Sequence, residues 1–408
     1  MLEEKVIKIV ENNCNNSRNK KQEENCLKNI QVSLWENNVK VEQYMENDEN
    51  KRLEENIYVG KVVDIVKGMQ SAFVDIGEER KALLYIKDLI KKVSNVTGNE
   101  KIELKKYKIE KLVKPNDYIM VQVKRDGGSK QKGAKLTTDI KLTGNYLVIN
   151  PNNDFVTVSK KIEDENKRNE LIEIGNKIRK NSKYKNCGII FRTASLLENV
   201  NEKVIDNEFL ELNKKYEKIV NNANKILKSK NENKITKIYD ANGIVGKLIR
   251  DFKTYGLKII ANNENIIEYV KNIDENLKIS IDKELKSEEL KSKIWLKCGG
   301  YIKIDKTEAL IAIDVNSGKC IEKKDFSQMC FLANKEAAIE IAKQIRLQDL
   351  GGIIIIDFID MENKEDIDKI IKIFDKELKK DRSKVQISEY SKLGLLELTR
   401  KQIYRLGN

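Results

Sequence analysis

There is no histidine among the 408 residues. That absence excludes Ser-His-Asp and Cys-His nucleophilic machinery and imidazole general-base chemistry. Carboxylates, lysine, tyrosine, cysteine or a bound metal must then carry any catalysis. Proline is nearly missing, at two residues. The six cysteines (Cys14, Cys26, Cys187, Cys298, Cys320 and Cys330) never stand as Cys-x-x-Cys, so neither a zinc knuckle nor a disulfide framework is indicated. Free thiols fit a reducing cytoplasm. No apolar run approaches the roughly 20 residues of a membrane span. The N-terminus, with Glu3 and Glu4 near its start, does not read as a signal peptide. The expectation is a cytoplasmic chain.

What is present is charge. Lys+Arg 78 against Asp+Glu 65 gives a net +13 and a pI near 9.1. Such a balance favours a polyanionic partner, although the abundance of Lys, Asn and Ile is also what a lysine-rich proteome produces. The length allows roughly two to four domains. From Asn56 onward, short alternating strands with glycines at 60, 68 and 77 suggest a small antiparallel barrel, resumed at Asp117–Lys124 after a lysine-rich insert, Lys101–Lys114. Gly127–Gly133 is a basic loop, either a linker or a phosphate contact. Strands are expected at Tyr146–Ile149 and Gly188–Phe191. Amphipathic helices are expected over Asp164–Lys180, Asn201–Lys228, Asn334–Leu347 and Asp366–Leu378.

The most informative stretch is Gly351–Met361, where four consecutive isoleucines read as a strand buried on both faces. It ends in Asp357 and Asp360. Such an aspartate is commonly a turn residue or an N-cap. A second copy of the arrangement, Ala309–Ser317, ends in Asp314 and, on the same face, Asn316. Two strands that each deliver a carboxylate at one end could hold a hard cation between them. In the barrel, Phe73 and Tyr85 are either stacking residues for an oligonucleotide or part of the core. A metal-dependent phosphodiesterase on single-stranded RNA or DNA follows as a coherent reading.

Several segments go further: Asn-Ile-Tyr-Val-Gly-Lys-Val, Gly-Met-Gln-Ser-Ala-Phe-Val-Asp-Ile-Gly, Gly-Gly-Tyr-Ile-Lys-Ile-Asp-Lys-Thr-Glu-Ala-Leu, Ile-Asp-Val-Asn-Ser-Gly, Leu-Gly-Gly-Ile-Ile-Ile-Ile-Asp-Phe-Ile-Asp-Met and Leu-Gly-Leu-Leu-Glu-Leu-Thr-Arg-Lys. In this order, and over nearly the whole chain from Leu34, they resemble the bacterial ribonuclease E/G family, its ribonuclease G branch in particular. The resemblance implies an α+β chain of several subdomains. An inert RNase H-like subdomain would be built from 1–56 and 237–298, and an S1 (OB-fold) barrel from 57–139. A 5′-sensor subdomain would follow at 140–236, with a DNase I-like catalytic subdomain at 299–408. It implies Mg2+, with Mn2+ as an alternative, on Asp314 and Asp357 beside Asn316. It implies a 5′-monophosphate pocket from Arg192, Thr193, Gly144 and Val148, and RNA contacts from Phe73 and Lys132, with Tyr85 as an added aromatic. The implied activity is Mg-dependent endoribonuclease cleavage of single-stranded RNA, favouring 5′-monophosphorylated ends, in processing and decay of rRNA precursors and mRNA.

Three departures qualify that expectation. Leu83 stands where the family has a second S1 aromatic. Gln348 replaces an arginine expected near the active site. The chain ends at Asn408, before the place of the family's Cys-Pro-x-Cys zinc-link, so zinc is not expected and a homodimer would form without that link. Two competing readings remain, a catalytically inactive S1-type RNA-binding protein and a DNA nuclease on the same scaffold.

Overall fold

The computed structural model describes residues 4–12, 29–47, 51–89, 107–127, 132–229, 233–318, 326–391 and 393–404. Parts of the basic loop at 127–133 and of the insert at 101–114, with Cys14, Cys26 and Cys320, lie outside them. The chain divides into two compact units, residues 51–256 and residues 1–50 with 257–406. Among the described residues no helix is long and apolar enough to cross a membrane.

Three strands, β1 (Lys5–Glu11), β2 (Ile30–Glu36) and β3 (Val39–Glu46), begin the chain as an antiparallel meander. Asn37 and Asn38 turn β2 into β3, both at positive φ, the conformation a two-residue hairpin loop requires and asparagine tolerates. Next come β4 (Ile57–Val66), β5 (Ser71–Asp75), β6 (Ala82–Tyr85), β7 (Tyr118–Arg125) and β8 (Lys135–Thr137). They pair in the order β4-β5-β6-β8-β7, and β7 returns to β4, which closes a five-stranded barrel. Alternation does the work here. Ala72, Val74, Ala82, Leu84, Val121, Val123 and Leu136 fill the interior, so their sequence neighbours face out. The described end of the lysine-rich insert is a short helix, Ile109–Leu112, whose Ile109 joins this core.

A four-stranded sheet follows, from β9 (Leu142–Thr143), β10 (Leu147–Asn150), β11 (Val156–Val158) and β12 (Gly188–Phe191), in the order β11-β12-β10-β9. Helix α1 (Glu165–Asn181) starts where the Asp164 carboxylate accepts from the N–H groups of Asn166 and Lys167. Helix α2 (Glu202–Lys228) starts on the Asn201 side chain and buries Ile205, Phe209, Leu212 and Ile219, a helical stripe, in the same core. Strand β13 (Thr236–Tyr239) then pairs with β4, and helix α3 (Gly243–Phe252) closes this unit.

The chain next returns to its first sheet. Strand β14 (Lys258–Ala261) lies parallel to β1, and after α4 (Glu264–Ile273) strand β15 (Lys278–Ile281) lies parallel to β14. The last sheet has six strands, β16 (Lys293–Trp295), β17 (Tyr301–Lys306), β18 (Leu310–Asn316), β19 (Gly352–Asp357), β20 (Val385–Tyr390) and β21 (Leu395–Arg400), in the order β16-β17-β18-β19-β21-β20. Helices α5 (Phe326–Leu347) and α6 (Lys364–Leu378) cover one face of it, through Ala337, Ile341, Ile345, Ile370 and Phe374. On the other face Lys303, Asp314, Ile353 and Asp357 are exposed. Strand β19 is therefore not buried on both sides as expected: Ile354 and Ile356 are fully buried, whereas Ile353 is 51% exposed. A two-layer packing needs apolar residues only at alternate positions, and the isoleucine run exceeds that need.

One buried charge is prominent in this unit. Glu42 on β3 is fully buried and accepts hydrogen bonds from Arg382, Arg346 and the Tyr44 hydroxyl. Burial pushes its carboxyl up, but the Arg382 and Arg346 charges and these hydrogen bonds outweigh it, and the net shift is downward. Arg382→Ala is expected to cost about 3 kcal/mol in urea unfolding followed by circular dichroism, because it strips a buried carboxylate of a partner. Linkage gives the pH sign. A depressed folded-state pKa means that Glu42's contribution is complete above the ordinary glutamate value of 4.5 and is lost as pH falls through the lower folded value. The difference between wild type and Glu42→Gln should therefore shrink on acidification below that point.

Candidate active site

Strands β18 and β19 run parallel with Asp314 opposite Asp357. Parallel neighbours in register lie about 4.8 Å apart, so the two carboxylates stand side by side. Both side chains are on the exposed face, because Ile313, Val315 and Ile356 on either side of them point into the core. Asn316, two residues beyond Asp314, donates from Nδ2 to its Oδ2. The structure thus brings Asp314, Asn316 and Asp357 together.

Burial, then the charge of Asp314, then that of Asp360 push the Asp357 carboxyl above its ordinary range. Asp360 belongs to the same electrostatic neighbourhood, which also raises the Tyr390 phenol after burial has done so first. Among the described residues no group of three or more His, Cys, Asp or Glu side chains is arranged to hold a metal ion. The two facing carboxylates still suit a cation of the magnesium type, which takes one or two carboxylates and keeps water in its other positions. The mutual repulsion on Asp357 is what such an ion would relieve.

Gln348 does not stand near this pair. It is buried at the far end of β19, where its Nε2 donates to the Lys291 carbonyl and to Gln344 Oε1.

On the barrel, Phe73 pairs with Leu83 and Ser71 with Tyr85 across β5 and β6, so Phe73, Leu83 and Tyr85 share the outer face. Phe73 is 37% exposed, which decides between the two sequence readings in favour of the surface. Lys87 and Lys135 hold their Nζ atoms 5.6 and 5.7 Å from the Tyr85 ring, and Lys135 stands opposite Leu83. Lys132 is exposed just before β8. Sequence reasoning missed Lys135, whose place on the face is set by the parallel pairing of β6 with β8, a contact that no local pattern announces.

Arg192 and Thr193 follow β12, and Gly144 and Val148 flank the β9–β10 turn. Arg192 Nη1 donates to the carbonyls of Gly144, Asn145 and Arg250, while Nη2 contacts the Asp251 carboxylate of α3. The Thr193 side chain is exposed. A buried carboxylate from α2, Glu208, fills the turn, accepting from the N–H groups of Asn145, Tyr146 and Leu147 at 2.6–2.9 Å. Burial raises its pKa, and these N–H groups and Arg192 only partly offset that. A Cβ at Gly144 would lie 2.7 Å from Glu208 Cδ, so a larger residue there would displace this carboxylate. Glu208 and Asp251 were not singled out from the sequence. A glutamate on the apolar stripe of α2, one residue before Phe209, was the available signal.

Asp357→Asn should stabilise the ion-free protein at neutral pH. A raised folded-state pKa means stability is complete below the ordinary aspartate value of 3.8 and is lost as pH rises through the folded value. The thermal midpoint of the variant should exceed that of the wild type near pH 7, and the two should converge below that value.

A sequence model described as "Ribonuclease E/G family" matches residues 141–403. The ribonuclease G of Escherichia coli strain K12 is 32% identical over 393 residues, covering 91% of this chain and 77% of its own length. That of Haemophilus influenzae is 32% identical over 399 residues, with the same shares. A putative ribonuclease E of Buchnera aphidicola is 32% identical over 397 residues and is covered to 92%, as is this chain.

Proposed function

Since the chain belongs to the ribonuclease E/G family and is an endoribonuclease, we propose that it hydrolyses phosphodiesters of single-stranded RNA with a divalent cation held by Asp314 and Asp357. The observation that carries this reading is the parallel register that sets the two carboxylates opposite each other on the exposed face of the last sheet. Mg2+ suits such a pair, with Mn2+ as the alternative hard ion. Bound there, such an ion would supply Lewis acidity to the phosphate and lower the pKa of an attacking water. The chain's own residues set the geometry. Asp314 and Asp357 supply the anionic oxygens, and Asn316, by donating to one oxygen of Asp314, fixes the rotation of that carboxylate. The products are an RNA 3′-hydroxyl and a 5′-phosphate.

In this reading residues 299–408 form the DNase I-like catalytic subdomain and residues 57–139 the S1 RNA-binding barrel. Residues 1–56 with 237–298 form the RNase H-like subdomain, and residues 140–236 the 5′ sensor. The outer face of the S1-like barrel would stack bases on Phe73 and Tyr85 and meet phosphates with Lys132 and Lys135. Arg192 and Thr193, with the Gly144–Val148 turn, would receive a 5′-monophosphate. An oxygen acceptor already lies on Arg192 Nη2 in the form of Asp251, so the phosphate would enter by replacing that carboxylate. A 5′-triphosphate is bulkier and would be accepted more slowly. The cellular substrates would be rRNA precursors and mRNA.

The decisive assay offers 5′-monophosphorylated, 5′-triphosphorylated and matched DNA oligonucleotides with Mg2+ or EDTA. RNA cleavage should require Mg2+ and should fall by at least ~10²-fold in Asp314→Asn, a loss of the order seen when a transition-state contact is removed. Unaltered cutting in EDTA or in Asp314→Asn would remove the metal-site reading. Arg192→Ala should bring the rates on the two RNA 5′ ends together without abolishing cleavage. Equal wild-type rates on both ends would remove the 5′-sensing reading.

A further inference from the structure

We propose that the exposed face of the last sheet carries, beside the acidic pair, a stacking platform for a base of the single-stranded RNA substrate, made by Trp295 and Tyr301 with Lys293 and Lys303. The inference rests on Asp314 and Asp357 being the cutting centre, and it adds what holds the nucleotide next to them.

The placement follows from register. Across β16, β17, β18 and β19, Lys293 pairs with Lys303, Lys303 with Asp314, and Asp314 with Asp357. One level along, Trp295 pairs with Tyr301 and Tyr301 with Asn316. Partners across a ladder point to the same face, so the two aromatics, the two lysines and the acidic site share one surface. The intervening positions confirm the facing, since Ile302, Ile304 and Ile313 are buried in the core beneath. With strands about 4.8 Å apart, Tyr301 lies roughly 8 Å from Asp314 and Trp295 roughly 12 Å from it, a span of about one or two nucleotides.

The chemistry suits a base and a phosphate. Trp295 is 61% exposed, an indole left in water on an edge strand with no core reason to be there. Its ring meets Tyr301 edge to face at 5.3 Å, and the Lys293 Nζ lies 3.7 Å from the Tyr301 ring and 4.7 Å from that of Trp295. The rings are thus held in place, and a cation sits with them. Among the described residues no carboxylate pairs with Lys293, while Lys303 pairs with the exposed Asp305 at 3.3 Å. An exposed tryptophan beside a half-buried tyrosine, interleaved with lysines, matches the pattern on which single-stranded nucleic acid stacks without regard to sequence. A patch continuous with two carboxylates that need an ion, and rimmed by cations, fits a polyanion passing through the site.

The test uses the full chain. It has two tryptophans, and Trp35 lies on the first sheet, so Trp35→Phe leaves Trp295 as the reporter. In EDTA, titration with a 5′-hydroxyl oligoribonucleotide should quench Trp295 fluorescence saturably. With Mg2+, Trp295→Ala should raise KM about tenfold, leave kcat within about twofold, and be restored by Trp295→Phe. Asp314→Asn should lose cleavage and keep the quenching, which separates this proposal from the catalytic reading. Absence of quenching while cleavage persists would overturn the platform and leave the cutting centre in place. Quenching that depends on protein concentration alone would also overturn it, by assigning the face to a second copy of the chain.

Discussion

The constraint on which the site depends is the register of β18 against β19. Side chains alternate along a strand, so a slip by one residue would turn Asp314 or Asp357 into the core and an isoleucine into water. The register is specified by burial rather than by the acids. Ile311, Ile313, Ile354 and Ile356 all enter one core under α5 and α6. Because that core admits the isoleucines in only one phase, the carboxylates at positions 314 and 357 are delivered together to the exposed face. Their mutual repulsion is then tolerated by packing elsewhere, a trade common at functional sites.

Buried ion pairs support the same unit from beneath. Glu42 gathers Arg382 and Arg346, and Arg400 joins Asp349 to Asp381 with distances of 2.6 and 2.7 Å. Asp349, at positive φ between α5 and β19, also accepts from the N–H groups of Ile403 and Tyr404. These contacts fix where β19 begins, and hence where Asp357 ends. Such networks add little net stability over apolar packing, but the loss of one member leaves a buried charge behind. They act as locators.

Much of this was legible in the residues. Helical spacing marked α1, α2, α5 and α6, and the strand ending in Asp314 was visible as an apolar run closed by an acid. Alternation in Ser71–Asp75 could not say which side of Phe73 was wet, because a barrel strand carries its side chains in both directions and only pairing with Leu83 fixes the outer face. The isoleucine run at 353–356 suggested burial on both sides, since composition reports apolarity and not how many layers lie above. Long-range partners were the least visible. Nothing near Arg192 in sequence points to Asp251, and the pairing of β1 with β14 joins segments about 250 residues apart.

The Glu208 carboxylate within the β9–β10 turn bears on the order in which this region assembles. Locally the turn closes on a hydrogen bond from the Gly144 N–H to the Leu147 carbonyl at 2.8 Å, which can form early. Its three remaining N–H groups, those of Asn145, Tyr146 and Leu147, find their acceptor on a side chain 61–63 residues further on. The turn can therefore reach its final shape only after α2 has been synthesised and docked, a closure with the entropic cost of a long loop. It should be among the last parts of its unit to organise.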